Sequence, residues 1–522
     1  MRLSRILSSV LLLVVCFIIV YYIGTWLMVS FSWAPFFEPD NYMYYKYAFE
    51  LLNHLPIINN QLVGLGSLGF FEHSGLFQLP VLLADVLHIP LIWAFRVPML
   101  LLFGSNIFLL YLLINEFYKP LLLPPSIRYW GFAFGFLYPL LLFQSEPIEW
   151  RGNLFLSTCL LALALLFYKQ YGARGLKFKA IYLLLSVPII LFAYWMWSGW
   201  FAILPFFFVM LLFTYTPHFI KTKRRALSVA GFLAFCCLIL FVFHNYFVIL
   251  IDHFTSFFGF PGCGYNPIDI GEIACLTPSN GLTLVISSLL VFLLGYTMVW
   301  KYSTNQRLTN FYLYLEIAMC ITLLPLALVY VRLVTLIAPF CALAFALGYA
   351  SMQYSGGRTK SSKALQIIIL CVILVGLLYF MYAYFGTSYA TYKIDNPPFL
   401  PVVGNYLNQQ NGTIDLLTFY AYGDWFETYT HAHVYADTIQ GLNYSKIELI
   451  DNVLLANASS ACTELHAFGT KPNYLLVSPM FKGFVVLENA TNESVVINPV
   501  GLAQCGYNSV LVVGNTTLLR LG

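Results

Sequence analysis

Charge is scarce in this chain: Asp, Glu, Lys and Arg make up 9% of its 522 residues, where an ordinary soluble domain carries about 25%. A chain so poor in charge cannot clothe a globular surface against water, and a soluble fold is excluded. There is no Cys-X-X-Cys pair, so a thiolate zinc site finds no support. No internal repeat and no low-complexity tract occur, which sets aside solenoids and biased tails. Nor do the basic residues gather on one face. They fall in alternate loops between apolar runs, a membrane-topology signal, and no nucleic-acid partner is assigned.

Hydrocarbon fills the chain instead. Some 60% of it is hydrophobic, in runs of roughly 18 to 25 residues, the length an α-helix needs to cross about 30 Å of bilayer. Runs at 6–29, 91–114, 130–143, 154–168, 181–197, 201–215, 227–251, 282–300, 311–331, 333–352 and 365–385 predict eleven transmembrane helices. The first follows Arg2 and Arg5 and is not followed by a small-residue cleavage site, so it reads as a span rather than a signal peptide. Loops around Lys119, Lys169, Arg224, Arg307 and Arg358 are cytoplasmic by the positive-inside rule. The opposite loops hold Glu38, Asp40, Glu50, Glu72, Glu146, Glu149, Asp269 and Glu272. An odd number of spans then places the N-terminus in the cytoplasm and the C-terminus outside.

The composition changes near Gly386. Residues 1–386 are expected to form the membrane domain, with large outer loops at 30–90 and 252–281, and residues 387–522 an extracytoplasmic mixed α/β domain. Short apolar runs at 474–477 and 509–513 read as strands. All six Asn-X-Ser/Thr triplets fall here, at Asn411, Asn443, Asn457, Asn489, Asn492 and Asn515, which agrees with exposure to a glycosylating compartment. Seven of eleven Cys lie inside apolar runs. The other four form two outer pairs, Cys263 with Cys275 and Cys462 with Cys505, and are disulfide candidates in an oxidising compartment.

The chemistry-bearing residues sit where hydrocarbon meets water, where a carboxylate stays partly dry and works on a ligand. The loop YNPIDIGEIACLTPSN carries Asp269 and Glu272. The first outer loop carries Asp40, followed by an aromatic, amphipathic stretch expected to lie as a helix along the membrane interface. Glu72 and His73 are adjacent farther on, a metal or ligand candidate as well as a common surface pair. In SEPIEWRGNLF, Glu146 and Glu149 lie three apart beside Arg151, which could also pair with them. Carboxylates converging from separate loops suit a hard divalent cation, Mn2+ or Mg2+, able to neutralise a phosphate leaving group. Arg332 stands in nearly continuous apolar sequence, costly unless it pairs or faces a cavity. The acids lie at loop edges rather than at mid-membrane, which disfavours a transporter.

Taken in order, these positions resemble the oligosaccharyltransferase catalytic-subunit family, as a divergent archaeal-type member or paralogue. Asp269-Ile270-Gly271-Glu272, followed by Pro278, looks like the family's Thr-Ile-X-Glu loop. Val331-Arg332-Leu333 is similar to its arginine-bearing span, and residues 194–200 resemble its Trp-Gly-Gly edge. The stretch AYGDWFETYTHAHVYADTIQGLNYSKIELIDNVLLA is similar to the one after the family's Trp-Trp-Asp-Tyr-Gly signature, whose own positions are Phe419-Tyr420-Ala421-Tyr422-Gly423 here. The signature aspartate is therefore Ala421, with Asp424 following as a substitute.

The resemblance implies a glycosyltransferase C-type membrane architecture, for which thirteen spans are usual. It implies Asp40 and Glu149, with Glu146 as an alternative, as metal ligands, and Asp40 with Glu272 at the catalytic centre. Glu272, Arg332, Tyr422, Gly423 and Asp424 would touch the acceptor. The implied activity is transfer of a glycan from a polyprenyl phosphate or pyrophosphate carrier, in a multi-pass protein of the cell membrane, to Asn of an acceptor polypeptide. Lipid-linked glycan, acceptor polypeptide and bilayer are the expected partners. Two alternatives stay open: a polyprenyl-phosphate-sugar transferase with another acceptor, and a catalytically silent paralogue that binds glycan lipid or peptide.

Overall fold

A computed structural model describes residues 24, 27, 36, 39–54, 74–119, 152–172, 176–196, 202–219, 292–293, 295–296, 299–300, 306–329, 336–337, 339–344, 346–347, 397–418, 420–435, 453, 458–466, 468, 471–478 and 502–522. The first half of the described chain is helical. Its elements are α1 (Pro39–Leu52), α2 (Ser74–Leu87), α3 (Leu91–Tyr118), α4 (Gly152–Gly172), α5 (Leu176–Met196), α6 (Ile203–Phe219) and α7 (Gln306–Val329). Stretches Leu91–Tyr118, Leu154–Gly172 and Phe178–Met196 are long and apolar enough to cross a bilayer. The 28 residues of α3 rise about 42 Å, more than the hydrocarbon core is thick. On α5, Phe178, Ile181, Leu184, Leu185 and Leu191 are exposed, an arrangement tolerable only against lipid. This is the bundle of a membrane protein.

The helices run past the apolar runs that announce them. α3 continues to Tyr118 rather than residue 114, α4 covers 152–172 rather than 154–168, and α5 starts five residues before 181. A helix satisfies its own backbone, so it carries on through polar flanks. At the end of α3, Glu116 accepts from Lys119 at 2.5 Å and from Lys169 of α4 at 2.9 Å. Arg307 of α7 lies over the Tyr171 ring at the same end. Within the bundle, Asn106 Nδ2 donates to Thr158 Oγ1 at 2.7 Å and to the Leu154 carbonyl at 3.3 Å, fastening α3 to α4.

The first outer loop is not merely a loop. Pro39 opens α1, a position its fixed φ suits, and His54 closes the turn after it with φ 54. A second helix, α2, was not expected: its fourteen residues are too few to span a membrane and Pro80 lies inside it. The helix expected beside Asp40 is present, with one face against protein. Tyr42, Tyr44 and Ala48 are buried in protein, because α1 packs between α2, α3 and the chain's second half.

That second half holds α8 (Phe399–Asn408), β1 (Ile414–Leu417), α9 (Tyr420–Tyr429), β2 (Ala432–Val434), α10 (Ala458–Leu465), β3 (Tyr474–Val477), β4 (Tyr507–Val513) and β5 (Thr516–Leu521). The strands form one sheet in the order β2-β1-β3-β5-β4. β1 is parallel to both its neighbours, and β3, β5 and β4 are antiparallel. Buried residues fall into two clusters. One fills the bundle from the latter half of α3 through α4, α6 and α7; the other joins α1, α2 and the start of α3 to the sheet. The predicted spans 130–143, 227–251 and 365–385 lie outside the described residues, as does most of 6–29.

Candidate functional site

The sheet has one topological switch. β1 leads through α9 to β2 on one side, while β3 pairs on its other side. In sheets of this kind the crevice beyond the carboxyl ends of the strands is where ligands bind. Here the chain leaves β1 at Leu417 and enters α9 at Tyr420, whose first turn is Tyr420-Ala421-Tyr422-Gly423. The run that resembles the family signature therefore occupies the switch point.

Two packings fix α9. On one side α8 comes close because Gly404 has no side chain: a Cβ there would meet the Trp425 ring at 2.8 Å. Tyr422 lies edge-on to Phe399 of α8, with ring centres 5.6 Å apart. On the other side α9 docks on α1. Lys46 of α1 forms an ion pair with Glu427, Thr428 Oγ1 donates to the Tyr42 carbonyl at 3.1 Å, and the Tyr42 and Tyr429 rings meet at 5.8 Å. Asp424 is 1% exposed and lies one turn before Thr428, whose hydroxyl also donates to the Asp424 carbonyl at 2.7 Å. It is a carboxylate inside the helix packing.

Where α1, α3 and α9 meet, the interior is polar. Asn41, next to Asp40, is 1% exposed, and both atoms of its amide lack a hydrogen-bond partner. One turn on, the Tyr45 ring packs on Phe95 of α3. Arg96 follows Phe95, is buried, spreads over Trp93 at 5.4 Å and has an unpartnered Nε. Burial raises the Tyr45 hydroxyl above its ordinary pKa, with Arg96 opposing. Burial raises Tyr429 further, helped by Tyr45 and again opposed by Arg96. Both hydroxyls stay protonated, neutral groups beside a buried cation that has donors only.

A third contact brings in the Trp-rich edge. A Cβ on Gly75, at the start of α2, would meet the Trp195 carbonyl at 2.5 Å, and Trp195 Nε1 donates to Gln78 Oε1 at 2.9 Å. Phe155, in the first turn of α4, touches Phe192 of α5. The starts of α1, α2 and α4 and the end of α5 thus share the cluster that reaches the sheet.

Solved structures of similar fold exist. An Archaeoglobus fulgidus oligosaccharyltransferase tethered to an acceptor peptide containing the NVT sequon matches 92% of this chain and 70% of its own, with TM-score 0.53 and 13% identity. The chain has the oligosaccharyltransferase fold. The archaeal oligosaccharyltransferase AglB from the same organism, in complex with an inhibitory peptide and a dolichol-phosphate, matches over 99% of this chain and 74% of its own, at TM-score 0.53 and 12% identity. The apo form of the Archaeoglobus enzyme matches over 93% and 71%, again at 0.53 and 12%. No family model matches the sequence, and no curated protein does. At this identity the likeness is one of fold.

Within the oligosaccharyltransferase fold the predicted residues fall as follows. Asp40 is the second residue of α1, placed by its backbone. Tyr422, Gly423 and Asp424 are buried in α9. Glu72 and His73 immediately precede α2, and Glu146 and Glu149 shortly precede α4; all four lie outside the described residues, as do Asp269, Glu272, Arg332, Cys263 and Cys275. Among the described residues no group of three His, Cys, Asp or Glu is placed to hold a metal ion. Cys462 and Cys505 are bonded, Cα atoms 5.4 Å apart, tying α10 to the turn before β4. Asn411 is exposed in the link between α8 and β1 and Asn515 in the turn between β4 and β5; Asn443, Asn457, Asn489 and Asn492 lie outside the described residues. Sequence reasoning passed over Asn41, Arg96 and Glu316. Arg96 in IWAFRVPML and Glu316 in YLYLEIAM are lone charges in apolar runs, and the rule applied to Arg332 finds both.

Proposed function

We propose that the protein is a membrane glycosyltransferase that moves a glycan from a polyprenyl phosphate or pyrophosphate carrier to the side-chain amide of Asn in an acceptor polypeptide. The observation that carries this is the docking of α1, whose second residue is Asp40, on α9, which holds most of the signature-like run at the sheet's switch point. The fold likeness supports it. So do the neighbours' bound states, an acceptor peptide in one and an inhibitory peptide with dolichol-phosphate in another.

In this reading the reaction face is extracytoplasmic, in a cell membrane, with the N-terminus on the cytoplasmic side. Residues 1–386 form the membrane unit and 387–522 the outer one. Asp40 and Glu149, or Glu146, hold a divalent cation. Their donors are all carboxylate oxygens, which suits Mn2+ or Mg2+, and α1 and the start of α4 share one cluster. When bound, the cation supplies charge stabilisation to the departing phosphate. An amide nitrogen is a poor nucleophile because its lone pair is delocalised into the carbonyl. Glu272 accepts from the acceptor amide N–H and draws its lone pair out of conjugation, while Arg332 and the start of α9 hold the acceptor peptide.

One feature favours a second reading. The signature aspartate is Ala421, and Asp424 is buried in the helix packing. That combination suits a silent paralogue that binds peptide or glycan lipid as a subunit of a larger assembly. The test is to incubate purified protein with lipid-linked glycan, Mn2+ and a labelled Asn-X-Thr peptide. Transfer predicts glycopeptide that disappears on chelation and in Asp40→Ala. Peptide binding without glycopeptide in any condition would establish the paralogue.

A further inference from the structure

Two of the Asn-X-Ser/Thr triplets lie among the described residues, and exposure of the asparagine does not separate them: Asn411 and Asn515 are both exposed. The residues that follow do. The triplet differs from any other asparagine by the hydroxyl two positions on, so whatever reads the triplet must reach that hydroxyl. After Asn411 the chain is open. Gly412 has φ 103, and a Cβ on it would meet nothing within 4 Å. Thr413 is exposed; Asn473 Nδ2 donates to its backbone carbonyl at 2.7 Å, a bond that leaves the hydroxyl out.

After Asn515 the chain is closed. Gly514 and Asn515 make the two-residue turn between β4 and β5, with Val513 paired to Thr516. Thr516 is 4% exposed and its hydroxyl donates to Ser478 Oγ at 3.0 Å. Thr517 is 8% exposed and is paired on both sides, with Val477 of β3 and Val512 of β4. Reaching it means pulling an interior strand out of the sheet.

We infer that Asn411 is a glycan-acceptor site of the folded protein, and that Asn515 is closed to modification once its sheet has formed. In the step, the bond from C1 of the glycan to the carrier's phosphate oxygen breaks, and a bond from C1 to Asn411 Nδ2 forms. The phosphate carrier leaves with the electron pair, and one amide proton passes to a carboxylate base or water. The co-reactant is a polyprenyl-phosphate-linked glycan, and the catalyst any oligosaccharyltransferase on that face. The inference rests on the proposed orientation only for its occurrence in the cell.

The experiment takes the full chain, produced without glycosylation and kept in detergent or lipid. It is incubated with an active oligosaccharyltransferase and its lipid-linked glycan, and peptides are mapped by mass. Synthetic linear peptides 408–416 and 511–520 serve as acceptors in parallel. The expected result is glycan on both peptides but, in the folded chain, occupancy at Asn411 at least about tenfold above Asn515, since freeing Thr517 breaks several ladder hydrogen bonds. Thr413→Ala removes the Asn411 glycan. Equal occupancy in the folded chain, or an unmodified Asn411 beside a modified 408–416 peptide, overturns the inference. Protein from its native cells that carries no glycan, while Asn411 is modified in the tube, upholds the inference and counts against the proposed orientation.

Discussion

The ion pair between Lys46 and Glu427 joins residues 381 apart in sequence and fastens α1 to α9. Their side chains are 16% and 4% exposed, so the pair is far drier than an ordinary surface salt bridge. Replacing Lys46 by Met keeps the aliphatic stem and removes the charge, leaving a carboxylate with little access to water. Breaking a buried pair from one side costs roughly 3–5 kcal/mol; swapping both partners for apolar residues of similar volume is close to neutral. Because Lys46 retains some exposure, the lower end applies, about 3 kcal/mol. Lys46→Met is therefore expected to lower the unfolding midpoint of the detergent-solubilised protein sharply, and Glu427→Leu to do the same. The double variant should recover most of the loss, a coupling of about 2 kcal/mol or more in the cycle. On the proposed function, single variants also lose transfer, since α1 carries Asp40. The reasoning is refuted if both singles cost under about 1 kcal/mol, the range of exposed pairs, or if the double is the sum of the singles.

Three more outcomes follow from the same region and the sheet. Gly404→Ala is expected to destabilise by about 1 kcal/mol: overpacking against Trp425, 2.8 Å from the new Cβ, costs about 1–3 kcal/mol, while helix propensity returns up to about 1. A variant as stable as the parent in thermal unfolding contradicts the close approach of α8 and α9. Reducing the Cys462–Cys505 bond, which spans 43 residues, should cost up to about 4 kcal/mol by loop closure; Cys462→Ser with Cys505→Ser, compared by denaturant titration, reads it. Finally, Tyr45, Tyr429, Tyr474 and Tyr507 are all raised above their ordinary 10.0, by burial first in each case. Groups raised in the folded state stabilise it fully below the unfolded value and lose that contribution as pH climbs past it. Stability should therefore be insensitive to these four up to about pH 9 and fall above about pH 10, with the part of the 295 nm phenolate absorbance that Tyr→Phe at these four positions removes rising together with unfolding rather than before it.

How far these features can be read from the chain depends on how local their causes are. The run YLLV at 474–477 is bounded by turn residues and buried on both faces, and it is a strand as expected. β1 and β2, four and three residues long, have no period to detect; they are strands because β1 is flanked on both sides by others. α1 is legible from Pro39 and its aromatic spacing, but its burial is not, because the partners that cover it come from residues near 90 and 425. α2 escaped notice because a short apolar stretch with an internal proline signals neither a span nor a soluble helix. Arg96 is legible as a lone cation in an apolar run, by the same rule that marks Arg332. The closeness of α8 to α9 rests on Gly404, and nothing in FLPVVGNYLN says which glycine will face an indole.

The position of α1 explains why a short helix outside the bundle should be held so firmly. On the proposed function, a transferase at the border of hydrocarbon and water has to align a donor delivered from the lipid with an acceptor delivered from solution. The alignment must hold to a fraction of an ångström, because misplacement of reacting atoms by about 1 Å costs on the order of a hundredfold in rate. Two units that merely touch do not provide this, since interfaces between domains are free to shift unless they are large and apolar. α1 belongs to neither unit alone. Phe36 and Tyr45 pack on Phe95 of membrane helix α3, while Tyr42, Lys46 and the Tyr42 carbonyl engage α9 at the sheet. Arg96 sits where the three helices meet, buried among tyrosines that cannot easily ionise. A rotation of the sheet against the bundle would have to drag this cation through apolar surroundings or expose it to lipid. On the proposed function, the same helix that carries Asp40 in its first turn is thereby the ruler between donor and acceptor. On that reading its buried contacts with α3 and α9 set the distance between Asp40 and the start of α9.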